Sequence, residues 1–271
     1  MNAVHPSPEQ WLKDLELIAS AAQLAGEKAL TFFGRNPDVQ WKNGGRSPVS
    51  EADFAANDIL KEKLLSARPN YGWLSEETDD DEARLGCDTV FVVDPIDGTR
   101  AFIAGKAVWC VSVAVVHGGR PVAGVLYAPA LEELFEATLT SEALKNGKPI
   151  TASPSEAGST RRIALAEDVV GVLEGGYRAG ITRIPHVPSL AYRLAMIADG
   201  SIDGTVVKKN SHDWDLAAAD LILQRAGGSL HDLKGETIVY NRPVVSHGVM
   251  CAAENTALPA LIAAAQGLEH H

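Results

Sequence analysis

A buried strand that ends in two carboxylates is the feature that most constrains this chain. Val90–Val93 is a run of four apolar, mostly β-branched residues, and Asp94-Pro95-Ile96-Asp97-Gly98-Thr99 follows it directly. Such a run predicts a buried strand. Pro95 fixes its own φ and biases Asp94 toward an extended conformation, while Gly98 permits a tight turn or a close approach to a ligand. The segment therefore predicts a rigid corner that presents two acids.

This corner has two interpretations. Asp, Pro and Gly are ordinary turn residues, so the segment can be a structural loop. Alternatively, the carboxylates of Asp94 and Asp97 and the carbonyl of Ile96 are oxygen ligands that suit a hard cation such as Mg²⁺. The N–H groups of Gly98 and Thr99 can then hold a phosphate. A satisfied turn needs only one Asp, which favours the functional interpretation.

The composition indicates a globular protein. With 271 residues, 46% of them hydrophobic and 22% charged, the chain can form one large domain or two that share a cleft. We expect no membrane partner, because no apolar run reaches the roughly 20 residues of a membrane span. The N-terminus shows no secretory signal, and three widely spaced cysteines indicate reduced thiols. These features predict a cytoplasmic protein.

The net charge of −11 argues against a nucleic-acid polymer as partner. It also raises a question, because an acidic protein that binds an anionic phosphate must supply positive charge locally. A bound divalent metal provides that charge without a basic patch.

The pattern of elements changes halfway along the chain. Residues 1–150 predict two helices over a largely antiparallel sheet that carries most of the metal ligands. Residues 151–267 alternate strands and helices, which predicts an α/β layer that contributes Asp215 and the substrate-binding side. We place the boundary at Thr151–Gly158, which is rich in small residues and turn formers, and interpret residues 268–271 as a tag remnant. The predicted fold class is α+β to α/β.

Several element ends can also be predicted. Ser7 is placed to cap the first helix, which we expect to end at Gly34. Gly44–Pro48 is predicted to be a loop. Asp213 is placed to cap an amphipathic helix over Trp214–Arg225.

Further acids lie next to loops, and each has a structural explanation of its own. Asp53 falls in the first turn of a helix that begins at Ser50, where it can close a capping box, and Asp215 also falls in a first helical turn. Glu76 follows the short apolar segment Gly72–Leu74 and can be a surface residue. None of these acids is decisive alone.

Taken together, Glu76, Asp94, Asp97 and Asp215 suggest a shared site, because all four lie at ends of predicted strands or helices. If they converge, their charges repel and raise one another's pKa. An all-oxygen ligand set suits Mg²⁺ or Mn²⁺. Two such ions about 4 Å apart can clamp the attacking and leaving oxygens of a phosphoryl transfer.

Other phosphate chemistries fit less well. The chain has no Gly-x-x-x-x-Gly-Lys-[Ser/Thr] loop of a P-loop kinase. A covalent aspartyl-phosphate enzyme needs a partner acid two residues after its nucleophile, whereas Asp94 and Asp97 are three apart. Asp213 and Asp215 have that spacing but follow a polar segment. Water is therefore the expected nucleophile.

Three motifs in order resemble a known family. Asp94–Thr99, with Glu76-Glu77 upstream and Trp214-Asp215 downstream, resembles the inositol monophosphatase superfamily of metal-dependent phosphatases. The resemblance extends from Ser47 to Gly228, which is most of the chain. It implies a layered αβαβα fold, sensitivity to lithium and, as is usual in the family, a homodimer.

The resemblance also implies the ligands of two or three Mg²⁺ ions. Glu76, Asp94 and the Ile96 carbonyl would hold one ion, and Asp94, Asp97 and Asp215 a second. Glu76 would also help to hold a weaker third.

On the substrate side, the resemblance implies that Gly98 and Thr99 bind the phosphate through their N–H groups. Thr99, paired with Asp53, would orient and deprotonate the attacking water, and Asp215 also borders the substrate. Arg100 can contact a second phosphate or can be a surface residue.

The resemblance leaves the substrate open. Inositol phosphatases of this kind usually continue the corner with Thr-Asn-Phe and bisphosphate nucleotidases with Lys-Glu-Phe, whereas this chain has Arg100-Ala101-Phe102. A small polyol phosphate such as inositol monophosphate is our first expectation, and 3′(2′),5′-bisphosphate nucleotidase activity is the alternative. Histidinol-phosphate phosphatases rank third, because they usually lack Trp-Asp-x-Ala-Ala. A non-catalytic binding protein would be expected to have lost a metal ligand, and none of the four acids is missing.

Overall fold

The computed structural model describes residues 7–35, 38–42, 47–80, 82–153, 160–185 and 187–270. Its α-helices are α1 (Pro8–Leu30), α2 (Glu51–Ala67), α3 (Thr99–Ile103), α4 (Glu167–Val170), α5 (Gly175–Ala179), α6 (Leu190–Ala198), α7 (Asp213–Arg225) and α8 (Leu258–Ala265). Its strands are β1 (Val39–Lys42), β2 (Ser47–Ser50), β3 (Gly72–Ser75), β4 (Thr89–Asp97), β5 (Cys110–His117), β6 (Arg120–Ala128), β7 (Glu133–Thr138), β8 (Leu144–Lys145), β9 (Lys148–Pro149), β10 (Arg161–Ala164), β11 (Ile181–Ile184), β12 (Gly204–Val207), β13 (Ser211–His212), β14 (Gly228–Asp232), β15 (Ser246–His247) and β16 (Met250–Glu254). Short 3₁₀ turns cover Ala83–Gly86, Pro129–Leu131 and Gln266–His270.

The first sheet has seven strands in the order β3-β4-β5-β6-β7-β8-β9. Strand β3 is parallel to β4 and the other neighbours are antiparallel, so the prediction of a largely antiparallel sheet is confirmed. Strand β4 is buried along its whole length. Its side chains alternate between two cores, with Val90 and Val92 in one and Phe91 and Val93 in the other. Burial on both faces explains why this strand reads as a continuous apolar run.

The molecule is built in five layers. Helices α1 and α2 pack on the face of the first sheet that Phe91 and Val93 occupy, and α6 and α7 pack on its other face. A second sheet, in the order β11-β10-β12-β16-β14, lies on the far side of α6 and α7. Helix α8 packs on the second sheet through Leu258 and Leu261. The predicted αβαβα arrangement is therefore confirmed.

The central helix α7 lies very close to strand β6 at one point. A Cβ placed on Gly124 would lie 2.9 Å from the carbonyl oxygen of Ala218. Small residues on both sides permit this contact, since a larger pair would push the helix off the sheet. The glycine therefore helps to set the position of α7, which carries Asp215.

Some predicted element ends were wrong. Helix α1 ends at Leu30, because the chain turns at residues 31–34 before Gly34 adopts φ +72°. Ser47 and Pro48 belong to strand β2, which pairs with β1, whereas the predicted loop residues 44–46 lie outside the described residues. Asp213 is the first residue of α7, and His212 caps that helix.

The predicted domain boundary and the predicted tag remnant at residues 268–271 stay predictions. Residues 154–158 of the predicted boundary lie outside the described ranges, although residues 151–153 are described. Leu268, which we assigned to a tag, is buried against the outer core that includes Leu261. No helix within the described ranges combines the length and apolar character that a bilayer crossing requires.

Candidate metal centre and active site

A cavity of about 570 Å³ opens where β4 ends and where α3 and α7 begin. The residues predicted from the sequence that line it are Glu76, Asp94, Ile96, Asp97, Gly98, Thr99, Arg100 and Asp215. Residues that the sequence analysis did not single out also line it: Pro48, Ala101, Lys106 and Pro188. The fold thus brings residues from distant parts of the chain to one cavity.

Three carboxylates converge in this cavity. One oxygen from each of Asp94, Asp97 and Asp215 lies within 4.8 Å of the others. Burial raises the pKa of Asp94 well above its usual range, and the nearby charges of Glu76, Asp97 and Asp215 raise it further. Burial, followed by the charge of Asp215, raises the pKa of Asp97 to about 7. The repulsion expected from convergence is therefore present.

The donor set fits a hard divalent cation. The converging atoms are carboxylate oxygens, and two of the three acids are buried, so a bound cation would offset a large electrostatic cost. Oxygen ligands without nitrogen or sulfur suit Mg²⁺ or Mn²⁺. Glu76 lies outside the group of three but acts electrostatically on Asp94. It is therefore placed at the edge of the cluster.

Asp97 is held by the start of α6, a contact that the sequence analysis missed. The Ser189 hydroxyl and the Ala191 N–H (2.7 Å) both donate to Asp97 Oδ2. Ser189 also caps α6 by accepting the Tyr192 N–H at 3.1 Å. A helix N-terminus offers unpaired N–H groups and favours a negative charge. In the sequence, Pro188-Ser189 is typical of a helix start, but nothing local identifies its acidic partner.

Asp215 is positioned by the first turn of α7. It is the third residue of the helix, and its Oδ2 accepts the N–H of His212 at 2.6 Å. Asp213 accepts the Asn241 N–H at 2.7 Å and contacts Nε2 of His247 at 2.6 Å. These contacts fix the helix start and hence the direction of the Asp215 side chain.

The acid in the first turn of α2 has two sets of contacts. Asp53 Oδ2 accepts the N–H (2.8 Å) and hydroxyl (2.6 Å) of Ser50, and Oδ1 accepts the Thr99 hydroxyl at 3.1 Å. Thr99 Oγ1 also lies 3.0 Å from the Ile96 carbonyl oxygen. Burial raises the pKa of Asp53, although the bonds from Ser50 and Thr99 oppose this. The capping contact and the pairing with Thr99 therefore coexist.

The corner requires glycine at position 98. Gly98 has φ +98°, and a Cβ there would lie 3.1 Å from Cβ of Ser189. Its left-handed backbone turns the chain directly into α3, which begins at Thr99. Arg100 is exposed in the first turn of α3 and lines the cavity together with Lys106.

Comparison with known proteins agrees with this arrangement. Residues 10–270 match the family model described as the inositol monophosphatase family. The crystal structure of extragenic suppressor protein suhB from Bartonella henselae is 28% identical, with a TM-score of 0.82, and the match covers 94% of this chain and 98% of that one.

Three of the curated relatives have names that refer to different substrates. An inositol-1-monophosphatase of Mesorhizobium japonicum is 32% identical over 82% of this chain and 86% of its own length. A histidinol-phosphatase of Chlorobaculum parvum is 30% identical over 86% and 91%. The 3′(2′),5′-bisphosphate nucleotidase CysQ of Aggregatibacter actinomycetemcomitans is 30% identical over 84% and 87%. A family match that spans nearly the whole chain shows that this protein belongs to the inositol monophosphatase family of metal-dependent phosphomonoesterases.

Proposed function

We propose that this protein hydrolyses a small phosphate monoester with Mg²⁺ as its metal and water as the nucleophile. The observation that carries the proposal is the convergence of the Asp94, Asp97 and Asp215 carboxylates in one cavity. Carboxylates that lie close enough to raise one another's pKa are typical of a functional site whose charge is balanced by bound cations.

The proposed ligands divide between two main positions. Glu76, Asp94 and the Ile96 carbonyl would hold one Mg²⁺, and Asp94, Asp97 and Asp215 would hold a second, with Glu76 contributing to a weaker third. Mn²⁺ is a chemically reasonable substitute. When bound, the metal would lower the pKa of water and supply positive charge that offsets the negative charge of the phosphate.

The chain itself orients the phosphate and accepts a proton. The N–H groups of Gly98 and Thr99 bind the phosphate at the start of α3 and stabilise the charge that develops on its oxygens. Thr99 orients the attacking water and takes its proton as the Thr99 hydroxyl proton passes to Asp53. The 3.1 Å contact between Thr99 Oγ1 and Asp53 Oδ1 supports this path, as does the raised pKa of Asp53.

The first proposed substrate is inositol monophosphate, which the 32% identity to an inositol-1-monophosphatase supports. The second is a 3′(2′),5′-bisphosphonucleotide, favoured by the presence of Arg100 and Lys106 in the cavity wall. Inhibition by lithium and a homodimeric assembly belong to the same proposal and rest on the family. A cytoplasmic location is supported by the free thiols of Cys87, Cys110 and Cys251.

The test is phosphate release by the purified full chain. After treatment with EDTA, activity on inositol 1-phosphate, adenosine 3′,5′-bisphosphate and histidinol phosphate should be absent, and Mg²⁺ should restore it for at least one of them. Asp94→Asn should remove the restored activity, whereas the exposed control Asp58→Asn should retain it. Failure of Mg²⁺ and Mn²⁺ to support turnover of any of these esters would refute the proposal. The ratio of kcat/KM between the esters ranks the substrates.

A further inference from the structure

A buried arginine lies in the connection between β3 and β4. Arg84 belongs to the 3₁₀ turn Ala83–Gly86, and its side chain is fully shielded from solvent. It does not line the catalytic cavity. A buried charge is costly unless it is paired, so such a residue is expected to hold specific partners. In the chain it stands between Glu76 and Asp94, two of the proposed metal ligands.

The guanidinium group of Arg84 pairs with a carboxylate on its own segment. Its Nε lies 3.0 Å from both oxygens of Asp80, and its Nη2 lies 2.6 Å from Oδ2. Two guanidinium nitrogens on one carboxylate make a strong and planar ion pair. The hydrogen bonds from Arg84 lower the pKa of Asp80, so the carboxylate stays ionised at neutral pH. The pair therefore fixes the orientation of the guanidinium group.

The same guanidinium group also reaches a distant part of the chain. Its Nη1 donates to the side-chain oxygen of Asn241 at 2.7 Å, and its Nη2 donates to the carbonyl oxygen of Arg242 at 3.1 Å. These partners lie 157 and 158 residues from Arg84 in the sequence, in the connection between β14 and β15. Arg84 thus joins the segment before β4 to the carboxy-terminal part of the chain.

Asn241 links Arg84 to the helix that carries Asp215. Its backbone has φ +56°, a left-handed conformation that asparagine adopts more readily than most residues. Its N–H donates to Oδ2 of Asp213 at 2.7 Å, while its side chain accepts from Arg84. Asp213 is the first residue of α7, and Asp215 is the third. The hydrogen bonds therefore run without a break from Asp80 to the first turn of α7.

The neighbouring residue Tyr240 holds the same connection independently of Arg84. Its N–H donates to the carbonyl oxygen of Gly119, in the turn between β5 and β6, at 3.0 Å. Its hydroxyl donates to Asp220, further along α7, at 2.8 Å. These contacts do not involve Arg84. Replacing Arg84 should therefore loosen the first turn of α7 while the rest of the helix stays packed.

We propose that Arg84 is a positioning residue of the metal centre, which fixes the first turn of α7, and with it the Asp215 carboxylate, relative to Asp94 and Asp97. The physical reason is that these carboxylates come from β4 and α7, two elements far apart in the chain. A cation binds tightly only when its ligands are held at the correct distances. This inference rests on the proposed function, because it concerns the site at which the metal would be held.

Cation binding without substrate tests this role. Arg84→Met removes the hydrogen bonds without adding a buried charge, and Arg84→Lys keeps a charge opposite Asp80. Mg²⁺ is titrated calorimetrically into metal-free protein at a temperature at which each variant is folded. We expect the dissociation constant to rise at least about fivefold in Arg84→Met and less in Arg84→Lys, because loss of the partners that orient a metal ligand typically costs about 10- to 100-fold in affinity. An unchanged constant in Arg84→Met would overturn the proposal.

A second variant breaks the same link from its other end. Asn241→Gly tolerates the positive φ and keeps the N–H that Asp213 accepts, but it removes the oxygen that accepts from Arg84. Asn241 is half-buried, so this variant tests the link even if Arg84→Met folds poorly. It should also raise the dissociation constant. The two changes together should add little beyond Arg84→Met alone, because both break one contact. Fully additive effects would contradict the proposed link.

The matched control is an arginine with similar partners elsewhere. Arg162, on β10, pairs with Asp203 at 2.9 Å and donates to the carbonyl oxygens of Gly200 and Ser201 at 2.8 Å each. It does not line the catalytic cavity. Arg162→Met should therefore lower the stability in urea and leave the dissociation constant for Mg²⁺ unchanged. If Arg84→Met behaves like this control, its role is structural only and the proposal is refuted.

Hydrogen exchange in EDTA separates this inference from the proposed function. In Arg84→Met, peptides that cover residues 210–216 should exchange about tenfold faster than in the wild type, because hydrogen bonds to a charged group are lost. Residues 217–225 should change little, and Arg162→Met should change neither region. If the wild type neither binds Mg²⁺ nor hydrolyses an ester, the proposed function fails, while faster exchange at 210–216 still supports the positioning of this turn by Arg84. Unchanged exchange there would refute the inference itself.

Discussion

Replacing Asp97 by Asn should stabilise the metal-free protein while removing its activity. Asp97 is buried, and its pKa is raised from 3.8 to about 7 by burial and by Asp215. The asparagine side chain that results keeps an oxygen to accept from Ser189 and the Ala191 N–H, but it carries no charge. The variant therefore removes repulsion and preserves most of the local hydrogen bonding.

The magnitude follows from the pKa. The difference between 3.8 and about 7 corresponds to up to about 4 kcal/mol of folding free energy at 1.36 kcal/mol per pH unit. Because a raised carboxyl pKa favours the protonated native state, the cost is fully present above pH 7 and vanishes below about pH 4. The stabilisation by Asp97→Asn should therefore be largest near pH 8 and fall to about 1 kcal/mol near pH 4.5.

The assay is urea unfolding in EDTA at pH 4.5 and pH 8, with and without added Mg²⁺. In EDTA at pH 8 the variant should be more stable than the wild type. Mg²⁺ should stabilise the wild type more than the variant, because the variant lacks one ligand. Phosphate release should fall at least about a hundredfold, since losing a metal ligand costs several kcal/mol in the transition state.

The control is Asp58→Asn, which removes a charge from the exposed face of α2 and should change stability little. If Asp97→Asn is no more stable than the wild type in EDTA at pH 8, then the acids do not repel one another as the geometry implies. An unchanged kcat would show that Asp97 only forms a turn.

Three further predictions follow from other parts of the structure. Thr99→Ala should lower kcat by about 10²–10⁴-fold with little change in KM, because it removes the hydroxyl that is bonded to Asp53. Thr99→Ser keeps a hydroxyl and should retain most of the activity. A change in KM alone would contradict this prediction. Gly124→Ala should lower the free energy of unfolding in urea by about 1–3 kcal/mol and weaken Mg²⁺ binding, because its Cβ would lie 2.9 Å from the carbonyl oxygen of Ala218. The control Gly171→Ala has open space around its Cβ and should leave the stability unchanged. Burial raises the pKa of Asp220 to about 6, so its ionisation should lower the free energy of unfolding as the pH rises from about 4 to 6. Asp220→Asn should remove this pH dependence. The free energy of unfolding of the variant, relative to that of the wild type, should therefore increase by up to about 3 kcal/mol by pH 7. A pH-independent difference in unfolding free energy would show that Asp220 stays ionised at no cost.

The sequence predicted the parts of the fold whose signals are local. The apolar run before Asp94 indicated strand β4. The structure continues this strand through the acids to Asp97, with an irregularity in its pairing between Asp94 and Asp97 where the sequence predicted a corner. The layered arrangement followed from the family resemblance and is confirmed by the two sheets and the helices between them. The individual roles of the site residues remain predictions, although their positions around one cavity agree with them.

What the sequence could not predict depends on contacts between distant segments. Ser189 reads as a helix cap, and nothing local shows that its hydroxyl reaches Asp97. Strand β2 was not predicted because it follows Gly44-Gly45-Arg46, a sequence that is typical of a loop. Its partner strand β1 lies on the other side of that segment in the sequence. Such contacts become visible only when the layers are assembled.

The acids of the metal centre come from β4 in the first sheet and from α7 between the sheets. The three carboxylates therefore do not converge until the amino-terminal and carboxy-terminal portions have docked. Cation binding is then expected to occur late in folding and to stabilise only the chain in which both portions have docked. An amino-terminal portion that holds Asp94 and Asp97 but lacks Asp215 should therefore bind a divalent cation more weakly than the full chain.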